Sequence, residues 1–175
     1  MGRLITDMIL TRNEIFKEIQ KKRIKVEPFD KNDIGPASID LCLGNELRVF
    51  QKKNKIIVLN NHLDYFDVTQ KISLGKGYVL KPGELVMGIT KEKITLPEDI
   101  CGWLQSRSRF ARFGLMSHIT APFVSPGVSN HQVLEIYNAS PRKLKLIPGL
   151  KICHLILERC HGKSKYEGRF SNQRL

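Results

Sequence analysis

Apolar side chains along this chain recur mostly at every second position, in short runs divided by turn residues. That is the pattern of half-buried β-strands. The exception comes early. Residues 11–22 set Ile15, Phe16 and Ile19 on one helical face, with Thr11 and Glu14 spaced as a capping box and Lys21, Lys22 and Arg23 at the C-terminal end. This stretch is predicted to be an amphipathic helix with a structural role. A short strand is expected at 24–26. At 37–43 the alternation is clean, with Ile39, Leu41 and Leu43 on one face and Ser38, Asp40 and Cys42 on the other. Further strands are expected at 47–50 and 56–59, joined by a lysine-rich turn, and at 64–68. The turn Leu80-Lys81-Pro82-Gly83-Glu84 feeds an apolar strand at 85–89, and strands at 94–96 and 100–104 follow. Pro126-Gly127 and Pro148-Gly149 repeat the turn device. With no long helical period after residue 22, the chain is predicted to be mainly β, a distorted barrel or jelly roll. No linker or internal repeat divides it. We read one domain over residues 1–175, with an N-terminal extension at 1–10 and a basic C-terminal segment at 159–175.

Two neighbouring stretches carry the chemistry. In the predicted strand 131–138, Val133, Glu135 and Tyr137 share one face and Leu134 and Ile136 the other, so Glu135 stands in apolar company. Burial favours the neutral form of a carboxyl, which suits a group that must take up and return a proton. Pairing with a nearby arginine is the structural alternative. Upstream, Ser106, Arg107, Ser108, Arg109 and Arg112 crowd together. Ser106 or Ser108 would cap a short helix and Gly114 would stop it, giving about two turns. Phe110 and Phe113 would anchor one face while Arg109 and Arg112 present guanidinium groups from another. A helix start lined with arginines suits a phosphate. The bland alternative is a basic surface turn.

Composition narrows the partner. A chain of 175 residues with 41% apolar content can bury a sizeable core and is not disordered. A net charge of +12 calls for an anionic partner: nucleic acid, a membrane surface or a polyphosphate. The sequence pI near 9.7 keeps nucleic acid in play. Yet aromatic residues are only 7%, and no basic run is interleaved with them as single-strand binding requires. A nucleoside triphosphate meets the same charge with a local cluster. No apolar run reaches membrane-spanning length, and the N-terminus lacks a secretory pattern. Met1-Gly2 with Thr6 formally fits a myristoylation pattern too short to carry weight. Cys42, Cys101, Cys153 and Cys160 form no C-x-x-C pair, so reduced core thiols in a cytoplasmic protein are expected.

The stretches SRSRFARFGL, HITAPFVSPG and HQVLEIYN resemble, in order, central motifs of the dCTP deaminase family, relatives of the trimeric dUTP pyrophosphatases. The likeness extends to ASIDLCLG at 37–44, PGE at 82–84, PGLKICHL at 148–155 and KYEGRFSNQ at 165–173. It covers nearly the whole chain. It implies the trimeric dUTP pyrophosphatase type of fold and a homotrimer with active sites shared between subunits. The activity it implies is hydrolytic conversion of dCTP to dUTP and ammonia, serving dUMP and dTTP synthesis. Glu135 would move the proton. Arg112, Ser108 and the carbonyl of Ala121 would hold the water and the intermediate. Arg107 and Arg109 would bind phosphates within the segment that includes Phe110 and Ala111. The Val133, Leu134 and Glu135 backbone would read the pyrimidine edge. Ser125 stands where an aspartate often holds the sugar. His154 stands where many relatives have glutamine. Tyr166, Arg169 and Gln173 would contact base or phosphates from a C-terminal lid. The zinc deaminase signatures H-x-E and P-C-x-x-C are missing, so deamination here would proceed without zinc. No metal held by protein ligands is expected; Mg2+ would arrive with the triphosphate. The ligands implied are dCTP and dUTP, with dTTP raised as an inhibitor, and neither membrane nor nucleic acid. Three alternatives stand beside this reading: a bifunctional enzyme continuing to dUMP and pyrophosphate, a plain dUTP pyrophosphatase, and a non-catalytic nucleotide or nucleic-acid binder. Ser125 has no carboxylate to activate water for attack on phosphorus, which weighs against dUTP hydrolysis.

Overall fold

The computed structural model describes residues 8–51, 56–171, 173 and 175. A helix, α1 (Arg12–Gln20), precedes β1 (Lys25–Glu27), β2 (Ile39–Phe50), β3 (Thr69–Ser73), β4 (Tyr78–Leu80), β5 (Leu85–Thr95) and β6 (Ile100–Ser106). A one-turn helix, α2 (Ser108–Ala111), leads to β7 (Leu115–Met116), β8 (Phe123–Val124), β9 (Ser129–Asn138), β10 (Leu144–Leu146) and β11 (Lys151–Arg159). One antiparallel sheet runs β7-β9-β5-β2-β11-β6-β8, with β1 added to β5 and β3 to β2; β4 and β10 pair separately. The mainly β expectation holds, and both helices are present.

Alternation explains the core. Ile39, Leu41, Leu43 and Leu47 of β2 meet Val86 and Ile94 of β5, Leu134 and Ile136 of β9, and Leu155 and Leu157 of β11, all buried. Cys42, Cys101 and Cys153 are buried free thiols. Burial pushes Cys42 up to about 11 and Cys101 up to about 12, so these thiols stay protonated and unreactive.

Several boundaries differ from expectation. β2 runs unbroken where two strands were predicted, because a register slip against β5 between Leu43 and Leu47 absorbs the irregular stretch. β5 likewise joins 85–89 to 94–96, with a slip between Ile89 and Lys93. At that slip the buried Glu92 accepts a hydrogen bond from the Cys42 N–H at 2.8 Å. Residues 56–59 form no strand and lie exposed; the lysine-rich turn at 52–55 lies outside the described residues. A 3-10 turn at Tyr65–Asp67 replaces the strand expected at 64–68. Thr11 sits at the N-cap of α1 but its side chain makes no capping bond, and Glu14 pairs with Lys17 at 2.6 Å instead. What anchors α1 is the buried Glu18, held by Arg23 at 2.6 Å and Arg159 at 2.7 Å. Ahead of α1 the chain is already tied in: Ile9 bridges Glu158, and Leu10 N–H donates to the Leu157 carbonyl at 2.8 Å. Residues 1–7 of the expected extension lie outside the described residues. Among the described residues no helix is long and apolar enough to cross a membrane.

Candidate functional site

Strand geometry places Glu135. On β9 the even-numbered positions from 130 to 138 are buried in the core, and the odd-numbered ones from 131 to 137 are half-buried on the other face. Gly114, at φ +77, ends the turn of α2 and lies so close to Ser140 that a Cβ would meet its N at 2.8 Å. β7 then pairs antiparallel with the end of β9, Leu115 against Asn138 and Met116 against Tyr137. The next residues therefore run back beside β9 toward Glu135. There the N–H groups of Ile119 and Thr120 donate to Glu135 Oε2 at 3.0 and 2.9 Å. Two backbone donors fix the carboxylate, and Oε1 takes neither of these bonds.

Glu135 opens onto a cavity of about 340 Å³, within the size range of small-molecule sites. Of the residues expected at the site, Glu135, Val133, Ala121, Ser125, Tyr166 and Gln173 line it. The Tyr166 N–H donates to the Pro126 carbonyl at 3.0 Å, bringing the C-terminal segment onto the Pro126-Gly127 turn. Gly127, at φ +75, is in such contact with this segment that a Cβ would lie 2.9 Å from Lys165 Cα. The segment thus lies over the cavity rather than away from the fold.

The arginine-rich cradle does not line this cavity. α2 is one turn, not two, so the argument from a helix start carries little here. Its N-cap is Arg107, whose side chain makes no capping bond, and Ser106 instead pairs with the Ser117 hydroxyl at 2.9 Å. Ser108, Arg109, Ala111 and Arg112 are exposed, and Phe110 alone of the two phenylalanines packs on the core. Phe113 is 65% exposed, so the predicted two-residue anchor does not form. Arg107 is half-buried, 3.2 Å from Asp40, and donates to the Lys151 carbonyl at 3.3 Å. Leu134 is wholly buried and offers only its backbone. His154, on β11, lies in register with Asp40 and Gln105, outside the cavity lining. Arg169 reaches outward to Asp64 at 2.9 Å and the Leu63 carbonyl at 3.1 Å.

Sequence reasoning missed much of the apolar lining and, among side chains with polar atoms, Tyr65, His118, Asn130 and Gln132. Asn130 and Gln132 interrupt the apolar face of β9, which was their visible signal. His118 opens the motif HITAPFVSPG, in which only Ala121 and Ser125 carry an expected role. Both ring nitrogens of His118 are buried, and among the described residues neither has a hydrogen-bond partner. Burial pushes its pKa down, and the charge of Glu135 opposes the shift. A depressed folded value means the unfolded chain binds the proton first. Stability is therefore expected to fall as pH drops below about 6.5, the ordinary histidine value. His154, also pushed down by burial, adds to the effect. His118→Phe should flatten the acid limb of a plot of thermal midpoint against pH; an unchanged slope would contradict this account. Among the described residues no three His, Cys, Asp or Glu side chains gather as a metal site.

Comparison with known proteins bears on the family and the fold. Residues 9–160 match the family described as dCTP deaminase-like. A protein of Parafrankia sp. (strain EAN1pec) named "dCTP deaminase, dUMP-forming" is 37% identical over 176 residues, covering 95% of this chain and 87% of its own length. One of the same name from Streptomyces griseus is 34% identical, covering 95% and 92%. The solved 2'-deoxycytidine 5'-triphosphate deaminase from Agrobacterium tumefaciens superposes with a TM-score of 0.68 at 22% identity, over 89% of this chain and 49% of that one. That likeness bears on the fold.

Proposed function

The chain belongs to the dCTP deaminase-like family, and on that premise we propose that it hydrolyses dCTP to dUTP and ammonia, with Glu135 as the proton carrier. The observation that carries the reading is the clamped carboxylate: Oε2 tied to Ile119 and Thr120, on the wall of a cavity of nucleoside size. Water adds to C4 of the cytosine, giving its proton to Glu135. Glu135 returns that proton to the exocyclic amine, the C4–N bond breaks and ammonia leaves, and the remaining hydroxyl proton passes to N3 as the C4 carbonyl forms. The Ala121 carbonyl orients the water. β7 covers β9 at Tyr137 and Asn138, and the adjoining Val133–Glu135 backbone is the edge that reads the pyrimidine. The C-terminal segment serves as the lid, through Tyr166 and Gln173, and excludes water. No zinc takes part; Mg2+ accompanies the triphosphate.

The phosphates need guanidinium groups, and one chain's cradle does not line its own cavity. We assign that role to Arg107 and Arg109 of a neighbouring copy in a homotrimer, whose Ser108 and Arg112 hold the water and the intermediate. Exposed apolar side chains between cradle and cavity, Phe113, Met116 and Ile119, support a covered face there.

A second reading, in which dUTP is cut on to dUMP and pyrophosphate, is favoured by the names of the relatives. Ser125 on the cavity wall counts against it, since a hydroxyl cannot do the work of a carboxylate base. Incubation with dCTP and separation of products decides. Ammonia with accumulating dUTP is the expected result. Stoichiometric pyrophosphate would establish the second reading, and release of neither product would sink both.

A further inference from the structure

We propose that Asn130 is a positioning residue whose side-chain amide clasps the C-terminal segment over the Glu135 cavity and so sets nucleotide affinity. The proposal rests on the reading above that this segment is the lid. Asn130 and Gln132 are 4% and 5% exposed, on the core face of β9. Buried amides require partners, and theirs form a chain. The Gln132 N–H is fixed by the Thr90 hydroxyl at 2.9 Å, and Gln132 Nε2 donates to Asn130 Oδ1 at 2.7 Å. With its oxygen so engaged, Asn130 turns its Nδ2 to the segment. It donates there to the Phe170 carbonyl at 2.9 Å and the Ser171 carbonyl at 3.4 Å.

The other ties of the segment are of a different kind. Ser164 N–H to the Glu98 carbonyl and Tyr166 N–H to the Pro126 carbonyl are backbone bonds at its root. Arg169 with Asp64 is an exposed ion pair, which holds weakly. Asn130 is a buried side-chain donor, and it acts beside Phe170, which itself lines the cavity. Phe170 N–H donates back to the Tyr166 hydroxyl at 3.4 Å, so the clasp reaches both aromatic lid residues.

The test uses the full-length protein and two variants, Asn130→Ala and Asn130→Asp. Alanine removes the donor. Aspartate still accepts from Gln132 but turns a second oxygen onto the segment's carbonyls. Hydrogen exchange across residues 164–171, without nucleotide, is expected to be slow in the natural protein and about tenfold faster in both variants, as loss of a buried hydrogen bond implies. With dCTP, KM is expected to rise about tenfold while kcat stays within about twofold, since the clasp sets binding rather than chemistry. Unprotected amides at 170–171 in the natural protein would overturn the proposal without any variant. So would unchanged exchange, or faster exchange with unchanged KM. Turnover absent from the natural protein, with exchange still governed by Asn130, would remove the deaminase reading and leave the clasp standing.

Discussion

Glu135→Gln is expected to stop ammonia release while leaving nucleotide binding nearly intact. General acid–base catalysis by one side chain contributes about 10²–10⁴ in rate, and here one group performs both the removal and the return of the proton. A loss of at least about 10³ in kcat is therefore expected. Binding survives because glutamine keeps a carbonyl oxygen where Oε2 stands, able to accept from Ile119 and Thr120. The 118–121 segment, with His118 and Ala121, then keeps its place on the cavity wall. Glu135→Ala would lack that acceptor, so its loss of activity would mix chemistry with shape. Single-turnover ammonia release and an equilibrium measurement of dCTP affinity check the two halves. Turnover above about a tenth of natural, where a lost proton carrier should cost orders of magnitude, would remove Glu135 from the reaction.

The residue types near the chemistry were legible because strand periodicity is strict. Once 131–138 is a strand, Glu135 and Val133 must share a face, and both do line the cavity. What periodicity cannot convey is which end of a strand a neighbour docks against. The cradle is about two dozen residues from Glu135 in the chain, and its motif reads as if adjacent. β7 instead pairs at the Asn138 end of β9, carrying α2 away from the cavity. Local pattern also misjudged 56–59, an apolar run that pairs with no strand among the described residues and stays exposed. It divided β2 at 44–46, where a register slip carries the strand through. Asn130 and Gln132 escaped notice for a related reason. Polar residues on a core face look like a broken pattern until the far end of the chain is brought against Asn130, which Gln132 in turn supports. Asp40, on the polar face of its strand, proves to hold Arg107, a long-range pairing that no local signal announces.

Mixing two inactive variants is expected to restore activity, because the proposed site draws on two chains. Arg112 stands at the C-cap of α2, exposed, beyond the Asn138 end of β9. The cavity runs from Glu135 toward Asn130, the opposite way along the same strand. If a neighbour's cradle completes the site, each site takes its Glu135 from one subunit and its Arg112 from the next. Arg112→Ala alone should cost about 10²–10³ in kcat, as loss of a charge aimed at the reacting group does. Glu135→Gln alone is inactive by the argument above. When the two are unfolded together in equal amounts and refolded, chance pairs an intact Glu135 with an intact Arg112 at about one site in four, given cyclic symmetry and free exchange. Activity near a quarter of the natural level is the expected reading. If each chain built its own site, every site in the mixture would keep one defect and the mixture would stay as inactive as its parts. That result would refute the shared site even if deamination itself were established.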